Sequence, residues 1–251
     1  MNKRGQLTIF IIIVILIVAV IVIFFMFRDN LKIEGVPHNT EPFYINLISC
    51  LENTANEGVY FIAAHGGYYN VPFNSSITYF TDDIPYYYLE NNNLVPEIED
   101  VEKELGDYIS ENLEDCVDLE FYKNQGFEIN IREYSILTNI NEGEIDIKML
   151  NSITIDKGDE VDILKNIETN IKKDLSNLYY ASVEIVDSYS QKPGFVCLTC
   201  LDEMASKYDV NIESVLVNDV SVFNNDIIWY FITNKYDNSY DKLKWVFVVE
   251  K

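Results

Sequence analysis

The residues best suited to do chemistry in this chain are its four cysteines, and two of them stand close together as Cys197-Leu198-Thr199-Cys200. Two residues between thiols let the sulfurs meet across one helical turn. Such a pair can form a disulfide, exchange it with another thiol, or supply half of a tetrahedral metal site. The apolar run Phe195-Val196 leads into the motif, and a short helix to about Lys207 is predicted after it. Cys197 would then sit where helix amides stabilise a thiolate. The Leu-Thr pair between the thiols and the absence of a preceding βαβ pattern depart from the usual thiol-disulfide oxidoreductase signature. Cys50 and Cys116 lack the second Cys-x-x-Cys spacing of a four-cysteine zinc site. The expectation is a structural disulfide, with extracytoplasmic oxidoreductase chemistry at Cys197 and Cys200 as the alternative. No other catalytic group, no cofactor and no metal site is expected.

Little else points to a reaction. The chain has two histidines. His38 falls in a spacer, and His65 precedes Gly66-Gly67, where it can bond the last carbonyls of a helix. No Ser/His/Asp set, paired-carboxylate site or phosphate-binding glycine loop stands out. Asp156, Asp159 and Glu160 carry charge at a turn without completing an oxygen-ligand loop. Tyr86, Tyr87 and Tyr88 are the candidate binding surface for a partner or a glycan, against the alternative that they fill one side of a hairpin. Asn74-Ser75-Ser76 is the Asn-x-Ser acceptor beyond the apolar N-terminal stretch.

The elements that must position these groups follow from periodicity. Pro42 opens a predicted helix in which Tyr44, Leu47, Leu51, Ala55, Gly58 and Ile62 recur at intervals of three and four, and it carries Cys50. Pro96 opens a second, with Ile98, Val101, Leu105, Tyr108, Asn112 and Cys116 on one face. Between them, residues 68–90 read as strands, with Ile77-Thr78-Tyr79-Phe80 in one and Ile84–Leu89 in the next, and turns at Asn74-Ser75-Ser76 and Asn91-Asn92-Asn93. The two helices are then antiparallel neighbours, and Cys50 can meet Cys116; four cysteines allow three pairings. From Gly126 the period becomes two, through Phe127-Ile129-Ile131, Tyr134-Ile136, Ile145-Ile147-Met149 and Ile153-Ile155. Leu164, Ile167, Ile171, Leu175, Leu178, Ser182 and Ile185 predict one long helix to cover that sheet. Three strands close the chain, at 210–217, 227–233 and 243–249, with Trp229 and Trp245 as core anchors.

Ahead of all this, 21 residues from Leu7 to Phe27 contain no charge. As a helix they would cover roughly 31 Å, the thickness of a bilayer core. The run is too long for the apolar part of a secretory signal peptide and ends at Phe24-Phe25-Met26-Phe27 without a small-residue cleavage site, so it is expected to be retained. Lys3 and Arg4 before it place the N-terminus in the cytoplasm and the body outside. Gly35, Pro37 and Pro42 interrupt helical continuity after it. The expected plan is an anchor at 1–28, a linker at 29–41, a helix-hairpin-helix subdomain at 42–125 and a β-α-β sheet subdomain at 126–251. The class is α+β, with amphipathic helices on antiparallel sheet and a disulfide-braced ectodomain. Hydrophobic residues at 48% and aromatic ones at 14% support packed cores. A net charge of −23 repels phosphate backbones and excludes nucleic acid as a partner.

Lys3-Arg4-Gly5-Gln6 before an apolar helix resembles an archaeal class III, type IV pilin-like signal, which implies cleavage between Gly5 and Gln6. Phe10 departs from that pattern, since pilins carry Glu at the fifth mature position. With Ser49-Cys50-Leu51, His65-Gly66-Gly67-Tyr68, Ile84-Pro85-Tyr86-Tyr87 and Cys197–Leu201, the chain resembles a group of uncharacterised membrane-anchored proteins of small-genome archaea. That resemblance implies location and architecture and no activity. The function expected is an extracytoplasmic surface protein, bound to the bilayer through Leu7–Phe27 and contacting other surface proteins or its own copies; a pilin-like filament subunit is the alternative.

Overall fold

A computed structural model describes residues 13, 16–18, 40–131, 133–158, 160–217, 226–236 and 242–251. The chain divides into two units, Met1–Pro42 and Phe43–Lys251. In the first, residues 13 and 16–18 are helical. Most of the expected anchor, together with Gly5, Gln6 and His38, lies outside the described residues. Among the described residues no helix is long and apolar enough to cross a membrane.

The second unit is α+β. Helix α1 (Glu41–Ala64) buries Leu47, Leu51, Ala55, Gly58 and Ile62 of the predicted stripe, leaves Tyr44 half-buried, and adds Phe43, Cys50 and Val59. Its end is a Schellman turn: Gly67 N–H bonds Ile62 O at 2.6 Å and Gly66 N–H bonds Ala63 O at 3.2 Å. Gly66 holds φ +55°, and a Cβ there would meet Pro85 Cγ at 2.7 Å. Only glycine satisfies both the turn and the close approach. Helix α2 (Ile98–Cys116) buries Val101, Leu105, Ile109 and Leu113. A disulfide joins Cys50 of α1 to Cys116 at the end of α2, with Cα atoms 5.6 Å apart. A six-residue helix, α3 (Leu119–Asn124), follows, capped by the Asp118 carboxylate on Phe121 N–H at 2.9 Å.

Two sheets carry the rest. In the smaller, β6 (Glu144–Lys157) pairs on one side with β5 (Ser135–Asn141) and β4 (Glu128–Ile131), and on the other with β7 (Glu160–Ile171). Helix α2 crosses β5 so closely that a Cβ on Gly106 would lie 2.7 Å from Ile136 O. Thr138 Oγ1 donates to Glu102 O at 2.6 Å and Ile140 N–H to the Glu102 carboxylate at 2.7 Å, which fixes the crossing. The long helix expected from Leu164 to Ile185 is a strand followed by a shorter helix, α4 (Ser176–Gln191). The cause is a bulge. Met149 pairs with Ile167 and Ser152 with Lys165, and Asn166 between them has φ +50°. The bulge changes which face the side chains meet, so buried Leu164 and Ile167 fall three apart, a helical interval inside a strand.

The larger sheet runs β1-β2-β10-β9-β8, with β3 (Asn92–Asn93) on β2: β1 (Ser76–Tyr79), β2 (Asp82–Leu89), β8 (Val210–Val217), β9 (Ile227–Asn234) and β10 (Lys244–Glu250). The β2–β10 pair is parallel, Val248 opposite Tyr86, so the sheet is mixed rather than wholly antiparallel. It takes strands from both sides of the division expected at 125/126. Helix α4 packs on β2, β9 and β10. On that side Trp245, Phe247 and Tyr230 are buried, with Phe247 stacked between Tyr87 at 4.4 Å and Tyr230 at 5.2 Å. The opposite face buries Ile84, Ile227, Trp229, Val246 and Val248, with Ile77 packed against them. Tyr79 meets Trp229 edge to face at 5.2 Å. The β1–β2 hairpin is therefore an arm that reaches over this face, leaving β10 where Pro85, which has no N–H to give and lies opposite Ser76 of β1, precedes the Tyr86–Val248 pair.

Candidate functional site

The expected helix after the paired cysteines is α5 (Leu198–Lys207), and Cys197 is its N-cap. Cys200 N–H points at Cys197 Sγ at 3.3 Å, and Leu201 N–H closes the first turn on Cys197 O at 3.0 Å. The two cysteines form a disulfide with Cα atoms 5.2 Å apart, and both side chains are partly exposed. The Thr199 hydroxyl lies 3.6 Å from Cys197 Sγ.

The preceding loop is folded back rather than loose. Gly194 N–H bonds the Tyr189 hydroxyl at 3.0 Å, and that hydroxyl donates to Glu250 O at 2.8 Å. The Lys192 ammonium sits 4.5 Å over the Phe195 ring. Behind the disulfide a cavity of about 10 Å³ is lined by Ile185, Tyr189, Met204 and Tyr230. That is the space of one water at most, so the pair rests on packed core. In front, Phe195 is 53% and Leu198 68% exposed. Glu184 of α4 ties the far end of α5, accepting from the Tyr208 hydroxyl at 2.8 Å and from Lys207. These bonds hold its carboxyl below the usual range, first through Lys207 and then through Tyr208.

A second candidate is the tip of the β1–β2 arm. Tyr79 pairs with Asp82, so Phe80 and Thr81 alone form the turn, and Phe80 has φ +56°. Phe80 is 88% exposed and Phe73, in the turn of 3₁₀ helix before β1, is 92% exposed. Phe80 was expected inside a strand; in the structure it is the corner. The turn lacks the Gly or Asn that normally marks a two-residue hairpin, so no local signal separated it from the strand.

The tyrosine surface is a correction. Tyr87 is fully buried, donating to Gly66 O at 2.8 Å and receiving the Trp245 indole N–H at 3.1 Å. Tyr88 is buried edge to face on Tyr189, 5.4 Å between centroids. Tyr86 is half-buried on the opposite face. These side chains are core and cannot form a shared outer surface. His65 stacks on Phe61 at 4.3 Å and its Nδ1 lies 2.7 Å from Phe61 O, at the helix end where its sequence position puts it. Asp156 lies in β6, while Asp159 and the side chain of Glu160 lie outside the described residues. Among the described residues no group of three or more His, Cys, Asp or Glu could hold a metal ion. Asn74 is exposed in its turn.

No protein-family model, curated protein or solved structure matches this chain.

Proposed function

We propose that the chain is a membrane-anchored extracytoplasmic protein that contacts other proteins of the cell surface, or further copies of itself, through the tip of the β1–β2 arm. Residues 7–27 hold it in the bilayer, with the short N-terminus cytoplasmic and the acidic body outside. The resemblance to membrane-anchored archaeal surface proteins and the two bonded cysteine pairs support that location, since disulfides persist in oxidising compartments.

The observation that carries the contact is Phe80. A bulky side chain at positive φ costs on the order of 1–2 kcal/mol, and exposing its ring forgoes about 2 kcal/mol of burial. Within the chain the ring touches Tyr79, at 4.7 Å. An exposed Phe80 held beside Tyr79 has the character of an interface anchor, and Phe73, exposed before the other end of β1, extends the apolar surface along the arm. The test is binding of the purified protein to envelopes of its source cells, wild type against Phe73→Ser/Phe80→Ser. Each anchor is worth about 2 kcal/mol, roughly 30-fold, so the double variant should bind roughly 1,000-fold more weakly if the two add. Equal binding by a folded double variant refutes the assignment.

A further inference from the structure

We propose that Cys197 and Cys200 exchange their disulfide with a dithiol in an extended, apolar segment of another polypeptide. Four observations meet at this point. The pair sits at the start of α5, both residues partly exposed. Cys197 Sγ already accepts the Cys200 amide N–H, so a thiolate at Cys197 would be held by that amide and by the helix end. The backing core and the Gly194–Tyr189 bond fix the loop, so that geometry does not have to be assembled when a partner arrives. Phe195 and Leu198 flank the sulfurs as an apolar rim suited to unfolded chain. The Cys50–Cys116 bond differs in place: Cys50 is buried inside α1, and Cys116, although exposed, closes the C-terminal end of α2, where a helix presents carbonyls rather than amides.

The partner's first thiolate attacks Cys197 Sγ. The Cys197–Cys200 bond breaks, and Cys200 leaves as a thiolate that takes a proton from water. The partner's second thiolate attacks its own sulfur in the mixed disulfide, forming the partner disulfide and releasing Cys197 as a thiolate. The partner loses two electrons and the Cys197–Cys200 pair gains them. A low-molecular-weight disulfide restores the pair by the same exchange. Cys197 is therefore the residue that carries the mixed disulfide.

The test uses the full-length protein in detergent and a synthetic peptide with two cysteines set among Leu and Phe. At pH 7 this probe should reduce the Cys197–Cys200 bond at least 10-fold faster than it reduces the disulfide of the free heptapeptide spanning residues 195–201, while Cys50–Cys116 stays intact. Phe195→Ser/Leu198→Ser should slow the probe at least 5-fold and leave the rate with dithiothreitol unchanged. Cys200→Ser, mixed with a single-cysteine form of the probe carried as its 2-pyridyl disulfide, should expel pyridine-2-thione and accumulate a mixed disulfide at Cys197, since neither Cys200 nor a second probe thiol remains to resolve it. A wild-type rate equal to that of the free heptapeptide, or no adduct at Cys197 in a folded Cys200→Ser variant, overturns the proposal.

Discussion

Replacing Cys50 and Cys116 together by alanine should cost far more stability than replacing Cys197 and Cys200, and the structure sets the ratio. The first bond links positions 66 residues apart and the second links positions 3 apart. The chain-entropy account gives about 4.4 kcal/mol for the long loop and about 2 kcal/mol for the short one at 25 °C. The long loop spans most of α1, the whole β1–β2 arm and α2, so opening it frees the unfolded chain broadly. For a body of this size each kcal/mol is worth roughly 2–4 °C in the unfolding midpoint. Cys50→Ala/Cys116→Ala should therefore melt about 10–15 °C below wild type by circular dichroism, and Cys197→Ala/Cys200→Ala about half that or less. The Cys197/Cys200 variant treated with reductant provides a check without any core truncation, since only Cys50–Cys116 remains to open. Equal midpoints for the two double variants, or a Cys50/Cys116 variant within about 3 °C of wild type, would refute the view that this bond braces the fold.

Three further outcomes follow. Gly106→Ala drives a methyl into Ile136 O and should cost about 2 kcal/mol in a denaturant titration, while Gly143→Ala meets no atom within 4 Å and pays chiefly for its positive φ, roughly 1 kcal/mol. Tyr68 and Tyr179 are pushed up to about 12, chiefly by burial and then by Asp100 near the first and Glu97 near the second. Their neutral forms favour the fold, so that stability is intact below pH about 10 and lost as pH rises through about 12. Absorbance at 295 nm should show a late tyrosine class that ionises together with unfolding, and Tyr179→Phe should shift that transition upward. Asn166→Val, which forces a β-branched residue to φ +50°, should cost about 1–2 kcal/mol, whereas Asn166→Gly should cost little.

Much of the helical frame was legible because its signals are local. The three-and-four spacing from Leu47 to Ile62 identified most of the buried face of α1. On α2 it found Val101 and Leu105, while Ile109 and Leu113, rather than Tyr108, Asn112 and Cys116, complete the buried stripe, and Cys116 still meets Cys50 from the helix end. His65-Gly66-Gly67 marked the end of α1 because a Schellman turn needs glycine. What failed depended on partners distant in sequence. Leu164 and Ile167 imitate a helix because a bulge against β6 shifts the strand's phase. Tyr87 and Tyr88 resemble a surface cluster until the parallel pairing with β10, some 160 residues later, covers them. That register has no short-range signature. Phe80 at the arm tip was hidden for the opposite reason: the turn uses residues that ordinarily mark a strand. The Cys197-x-x-Cys200 spacing gave the pair and the following helix, but the Cys200 amide bond to Cys197 Sγ and the Phe195–Leu198 rim exist only in three dimensions.

The account rests on an oxidised body held at the outer side of a membrane. The direct test is peptide mapping without reductant of protein taken from source cells whose thiols were blocked before lysis. The account predicts that the protein is recovered in the membrane fraction, with Cys50 linked to Cys116. Recovery in the soluble fraction with four blocked, unpaired cysteines would contradict it.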